Sequence, residues 1–243
     1  MKTKFFLTFG FFLFILLATA QQSGIVEYEY IYHPGIHQKD KDSLTLMKRR
    51  ALSLAEKAYE YAQYHDYVLL FNPDESYYYV DAGMEVDEVE DPVSYKFSLM
   101  ILGKGVYYQN RKEGIQLNQK ESLNELYLVS DTIRNDWHIT NETKKIAGFT
   151  VYKATKPCKC GQDIEAWFAP DIPVPFGPAG FNGLPGLILE VTKYKHTLRA
   201  KKIKLLNKPL KIKRPEKGKP ITEEELHRKF TEYRERARRQ HAR

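Results

Sequence analysis

Residues 25–32 read Ile25-Val26-Glu27-Tyr28-Glu29-Tyr30-Ile31-Tyr32. Large apolar and acidic side chains alternate with period two, and β-branched and aromatic types dominate. The stretch is therefore predicted to be a β-strand with one face against a core. His33-Pro34-Gly35 ends it. Similar short segments follow at 67–71, 76–80, 94–102, 106–110, 114–118, 125–129 and 137–140, then at 146–154, 164–168, 187–193 and 197–205. Short links between successive strands imply antiparallel neighbours. The fold class expected is mainly β (α+β): an antiparallel meander sheet curved into a half-barrel, with one inserted helix after the first strand and one C-terminal helix.

The inserted helix is predicted over residues 43–64. Leu44, Met47, Ala51, Leu54, Ala55, Ala58 and Ala62 recur at spacings of three and four, and Asp42 or Ser43 is placed to cap it. The C-terminal helix follows a capping box of Thr222 with Glu225 and carries a narrow stripe of Leu226, Phe230, Tyr233 and Ala237. Before it, Lys208-Pro209, Arg214-Pro215 and Lys219-Pro220 are expected to break regular structure. Composition agrees with a folded β protein: of 243 residues 42% are hydrophobic, and 17 Tyr and 13 Phe stand against 2 Trp and 4 Met.

The first 20 residues read as an export signal. Lys2 and Lys4 precede an apolar run from Phe5 to Leu17, and Ala18-Thr19-Ala20 presents small residues at a cleavage site. Cleavage after Ala20 would give a periplasmic or secreted protein. The expected division is a signal peptide over 1–20, a β-rich domain over 21–206 and a basic tail with a helix over 207–243. The net charge of +7 hides an asymmetry: residues 21–192 carry a net −8 and residues 193–243 a net +13. Export and the lack of interleaved aromatics exclude nucleic acid as a partner of that tail. Peripheral contact with an anionic membrane stays open beside a simple solvated tail.

No nucleophile elbow, His-Glu-x-x-His pair or phosphate-cradling loop is present, so no catalytic residue and no cofactor is nominated. Cys158-Lys159-Cys160 allows three readings: an inert turn, a disulfide, or metal or redox chemistry by two thiols. The other informative stretch runs from Trp167 to Val191. Pro170, Pro173, Pro175 and Pro178 forbid a helix or an inner strand there. Turns are expected at Gly177, Gly180, Gly183 and Gly186, and Ile172, Phe176, Phe181, Leu184, Leu187 and Ile188 need cover from water. The arm is expected to fold over the sheet, as a plug closing its end or as a lid on an apolar pocket.

Gly183-Leu184-Pro185-Gly186-Leu187-Ile188 is the hexapeptide for which the GLPGLI family is named. Trp137-His138-Ile139 with Glu142, Lys144, Ile146, Gly148 and Phe149 resembles that family's upstream block. Lys153-Ala154, Ala166-Trp167-Phe168, Asp171-Ile172-Pro173 and Phe176-Gly177-Pro178 resemble its approach to the hexapeptide. The resemblance spans about residues 24–206 and implies an exported protein of outer-membrane bacteria with no established activity. The long first helix and the basic tail depart from it. The function expected is a periplasmic binding or accessory protein that holds a hydrophobic, lipid-like ligand, a peptide or an outer-membrane or other envelope protein. Trp167, Pro170, Ile172, Pro173, Phe176, Gly177, Pro178, Phe181 and the hexapeptide are its candidate ligand or lid residues. The alternative is a metal-binding or thiol-redox protein that uses Cys158 and Cys160.

Overall fold

The computed structural model describes residues 22–33, 45–83, 89–101, 105–133, 136–158 and 162–241. The segment 1–20, Asp42, Ser43 and Cys160 lie outside the described residues. The fold is mainly β. One mixed sheet holds twelve strands: β1 (Ser23–Tyr32), β2 (Asp66–Phe71), β3 (Glu75–Asp81), β4 (Gly105–Asn110), β5 (Ile115–Ser122), β6 (Glu125–Thr132), β7 (His138–Ile146), β8 (Phe149–Lys156), β9 (Ile164–Ala169), β10 (Leu187–Lys193), β11 (His196–Leu206) and β12 (Lys219–Thr222). The three helices are α1 (Leu46–Ala62), α2 (Pro92–Ile101) and α3 (Glu223–His241). The strand order is β12-β6-β5-β4-β3-β2-β1-β11-β10-β9-β8-β7, so the sheet is not closed into a barrel.

β1 is the seam. It pairs antiparallel with β2 on one side and with β11 on the other, joining the run β2–β6 to the run β7–β11. The alternation that predicts this strand is realised in full: Val26 and Tyr28 are wholly buried and Tyr30 nearly so, whereas Glu27 and Glu29 are not. Tyr67, Leu69 and Phe71 of β2 and Tyr78 of β3 join them in the main core, together with Ala62 of α1. Thr45 caps α1 through its hydroxyl, which accepts from the Lys48 amide at 3.5 Å.

Three expectations need correction. Residues 94–102, read as a strand, lie mostly in α2. Asp91 caps that helix, its carboxylate accepting from the Ser94 amide at 3.0 Å and the Ser94 hydroxyl at 2.8 Å, and Pro92 supplies a preset first position. Tyr95 and Leu99 are the buried pair one turn apart, a helical spacing hidden inside an apolar run. Residues 146–154 are not one strand: Ile146 ends β7, Ala147 and Gly148 make the turn, and residues 149–154 run in β8. Ala147 and Gly148 both take positive φ (46° and 87°), the geometry of a two-residue hairpin. Lys219-Pro220 does not break structure but opens β12, which adds parallel to β6 at the sheet edge, where a missing amide is tolerated.

Chain from Asn207 onward straps the sheet. The Leu210 amide donates to the Ser23 hydroxyl at 3.2 Å, and the Asn72 side-chain amide donates to the Leu210 carbonyl at 3.0 Å. Ile212 is buried against Tyr108 and Leu117. Arg214 pairs with Glu113 at 3.0 Å, and the Gln119 side-chain amide donates to the Lys217 carbonyl at 3.0 Å. Ile212→Ala is expected to lower unfolding stability by about 2 kcal/mol in urea melts. An unchanged midpoint would mean that the strap is not part of the cooperative fold.

Candidate functional site

The proline-rich arm, residues 170–186, lies on the sheet, and its backbone accounts for the lie. Prolines at 170, 173, 175 and 178 bring no amide to satisfy. Four of the donors that remain bond locally: Ile172 to the Ala169 carbonyl at 3.1 Å, Val174 to Ile172 at 2.8 Å, Phe181 to Pro178 at 3.0 Å and Gly183 to Pro175 at 3.0 Å. The register shift between Ile188 and Glu190 in the β9–β10 pairing accompanies a second set of bonds. The Leu187 amide donates to the Ile172 carbonyl at 2.9 Å and the Ile188 amide to the Phe176 carbonyl at 2.8 Å. The hydroxyl of wholly buried Tyr28 then donates to the Ile188 carbonyl at 2.7 Å, tying the arm's base to the seam strand.

The candidate residues from the sequence take distinct places. Ile172, Phe176, Gly177, Pro178, Leu184, Gly186, Leu187 and Ile188 are buried, while Trp167, Phe181 and Gly183 are half-buried and Pro170, Pro173 and Pro185 exposed. The glycines divide by role. Gly180 and Gly183 take positive φ (81° and 91°) and make the turns, with Pro178–Gly180 forming a 3-10 turn inside the extended arm. Gly186 is needed for close approach: a Cβ there would stand 2.3 Å from the Ala169 carbonyl oxygen. At Gly177 the same atom would meet the Ile188 Cβ at 2.7 Å. Trp167 sits in register with Glu190, under the Lys144 ammonium at 4.1 Å.

Beside the arm is a cleft of about 330 Å³. Tyr30, Tyr67, Tyr78 and Tyr107 come from β1 to β4, Val191, Lys193, Tyr194, His196 and Leu198 from the β10–β11 hairpin, and Ala179 and Phe181 from the arm. Of the residues nominated from sequence, Phe181 is the one that lines it. Tyr30 Oη lies 2.6 Å from His196 Nδ1, within reach to donate to the neutral ring. Tyr59 of α1 stacks on Tyr30 at 6.5 Å and on Tyr32 at 4.1 Å, extending the aromatic wall. Burial raises the phenol pKa values of Tyr30, Tyr67, Tyr78 and Tyr107, so these groups stay protonated donors. Burial, then the charges of Lys195, His33 and Lys193, lowers the His196 pKa. Among the described residues no carboxylate lines the cleft, and Lys193 is exposed at its rim.

Sequence reasoning missed most of this wall. The tyrosines come from four strands whose pairing register alone makes them neighbours, and only the abundance of Tyr hinted at such a surface. Cys158 is disulfide-bonded, and the chain's other cysteine, Cys160, lies outside the described residues. Among the described residues no cluster of three or more His, Cys, Asp or Glu is arranged to hold a metal ion.

Residues 156–190, the Cys turn and the arm, match the family described as "Protein of unknown function (Porph_ging)". No curated protein matches the sequence. The fold is similar to a solved structure of PNGF-II in a C2 space group, with a TM-score of 0.50 and 19% identity over 78% of this chain and 28% of that one. PNGF-II in a P21 space group gives a TM-score of 0.49 and 17% identity over 84% and 31%. This chain thus spans under a third of the PNGF-II chain, and at such identity the likeness concerns the fold alone.

Two outcomes test the geometry. Gly186→Ala is expected to lower stability by about 2 kcal/mol, because backbone stands where the methyl would go. Pro185→Ala, one position away and exposed, should change it by less than about 0.5 kcal/mol. Equal effects in urea unfolding would deny the close packing. For His196 the sign follows from its lowered pKa: stability is complete above the ordinary value of 6.5 and falls as pH drops from there toward the lowered one. Imidazole resonances of His196 followed by NMR should therefore titrate below 6.5. Titration at or above that value would contradict a half-buried, neutral ring.

Proposed function

We propose that this is an exported envelope protein of the GLPGLI type that binds a small hydrophobic ligand bearing an anionic group in the tyrosine-walled cleft. The observation that carries the reading is the cleft itself. Among the described residues its walls are aromatic and aliphatic, its polar groups are phenols and a half-buried neutral imidazole, and the cation Lys193 stands at the mouth. Such a lining accepts an apolar body and favours an acceptor or anionic head at Lys193. About 330 Å³ suits a small molecule or part of an acyl chain, and is too small for a folded envelope protein.

In this reading the sheet is a half-barrel curved about the arm. Ile172, Val174 and Phe176 act as the plug, and Ala179 and Phe181 act as the rim of the site. The export-like residues 2–20 and the disulfide at Cys158 support a periplasmic or secreted location, because disulfides persist in oxidising compartments. Because the Cys158 sulfur is bonded and so is not a thiolate ligand, the disulfide weighs against the metal-binding or thiol-redox alternative.

Fluorescence titration with cis-parinaric acid tests the site. Binding is expected, with Leu198→Trp abolishing it by filling the cleft and Lys193→Glu weakening it about fivefold. The methyl ester should bind the native protein and the Lys193→Glu variant alike. No binding, or binding that neither substitution changes, would remove the proposal.

A further inference from the structure

The C-terminal helix α3 is anchored at one end only. Its capping box is formed: the Glu225 carboxylate accepts from the Thr222 amide at 3.0 Å, and the Thr222 hydroxyl accepts from the Glu225 amide at 3.2 Å. Leu226 is buried with Tyr127, Val129 and Ile221 at the sheet edge. From His227 onward every described side chain of the helix is exposed. Two of those are large aromatics, Phe230 at 45% and Tyr233 at 59% exposure, which the fold leaves without cover.

At about 100° per residue the two rings share one stripe. Lys229, whose ammonium lies over the Tyr127 ring at 5.7 Å, and Arg236 flank it on one side, His227 and Arg234 on the other. Glu232 and Glu235 fall toward the far face, where they make weak exposed pairs with Arg236 and Arg239, each at 3.8 Å. An aromatic stripe with cations along both borders and a charged face behind, where Arg228 and Arg239 join the two acids, is the layout of a helix lying in a membrane interface. A helix held in a protein groove needs anchors over more turns. Here Leu226 is already engaged with the protein's own sheet, which leaves two. Charge supports the same choice: residues 193–243 carry a net +13 and residues 21–192 a net −8, so an anionic surface attracts the tail and turns the acidic body away.

We propose that α3 is a membrane-surface helix that lays Phe230 and Tyr233 into an anionic lipid leaflet, with its Lys and Arg borders on the headgroups. This stands independently of the tyrosine cleft.

The test is co-sedimentation of the chain beginning at Gln21, the processed form proposed above, with vesicles of phosphatidylglycerol and phosphatidylcholine or of phosphatidylcholine alone. Binding to the first and not the second is expected, falling as salt is raised above about 0.1 M. The exposed pair Phe230→Ser, Tyr233→Ser should weaken it at least about tenfold, with an unchanged thermal melt as the control for folding. Tyr233→Trp should give a blue-shifted emission with the anionic vesicles. Equal binding to phosphatidylcholine would overturn the proposal, as would binding that the double serine variant leaves intact. Full displacement by soluble polyglutamate at equal charge concentration would also overturn it, assigning the helix to an acidic protein partner.

Discussion

Peptide amides laid against a sheet must find acceptors, and the arm over 170–186 is built around that constraint. Prolines remove donors at five positions. The register shift at the start of β10 goes with two bonds from that strand back to the arm, and the Tyr28 hydroxyl closes the set at the Ile188 carbonyl. Gly186 allows the chain to pass the Ala169 carbonyl, and Gly177 allows it to lie on Ile188. These contacts fix where Ala179 and Phe181 stand, and therefore one wall of the cleft. The hexapeptide is thus first a packing device. Its chemistry-free side chains suit a part whose work is to hold a wall in place.

The same seam governs electrostatics on the β7–β11 side. Glu190, beside the register shift, is 4% exposed and would be costly alone. Lys144 at 2.7 Å and Arg199 at 2.5 Å neutralise it, and Lys144 also covers the Trp167 ring. Trp167, nominated for a ligand, is thereby engaged in a cation–π contact away from the cleft. On the other side of β1, the strap formed by the tail covers Tyr108 and Leu117 through Ile212. The basic tail is therefore part of the fold up to Leu226, and beyond it the described side chains of α3 are exposed, with the Lys229 ammonium over the Tyr127 ring at 5.7 Å.

Much of the fold was legible because period and caps are local. The β1 alternation and the Thr222–Glu225 box both read directly. Misreadings arose where a local pattern was ambiguous. Tyr95 and Leu99 sit in a run apolar enough to pass for a strand, although Asp91-Pro92 before it is a helix start. Ala147 gives no turn signal and Gly148 alone is a weak one, so 146–154 reads as one strand. The arm's burial was legible from its apolar content, but not which side chains plug and which rim. The cleft was not legible at all. Tyr30, Tyr78, Tyr107 and His196 are brought together by strand register, a long-range property that no spacing along the chain encodes.

Native mass spectrometry of the protein purified from its own cell envelope tests most directly whether the tyrosine-walled cleft is a ligand site. The expected result is a retained organic molecule of small mass, lost from the Leu198→Trp variant. A spectrum showing only the bare polypeptide, or a bound metal ion in place of an organic ligand, would contradict it.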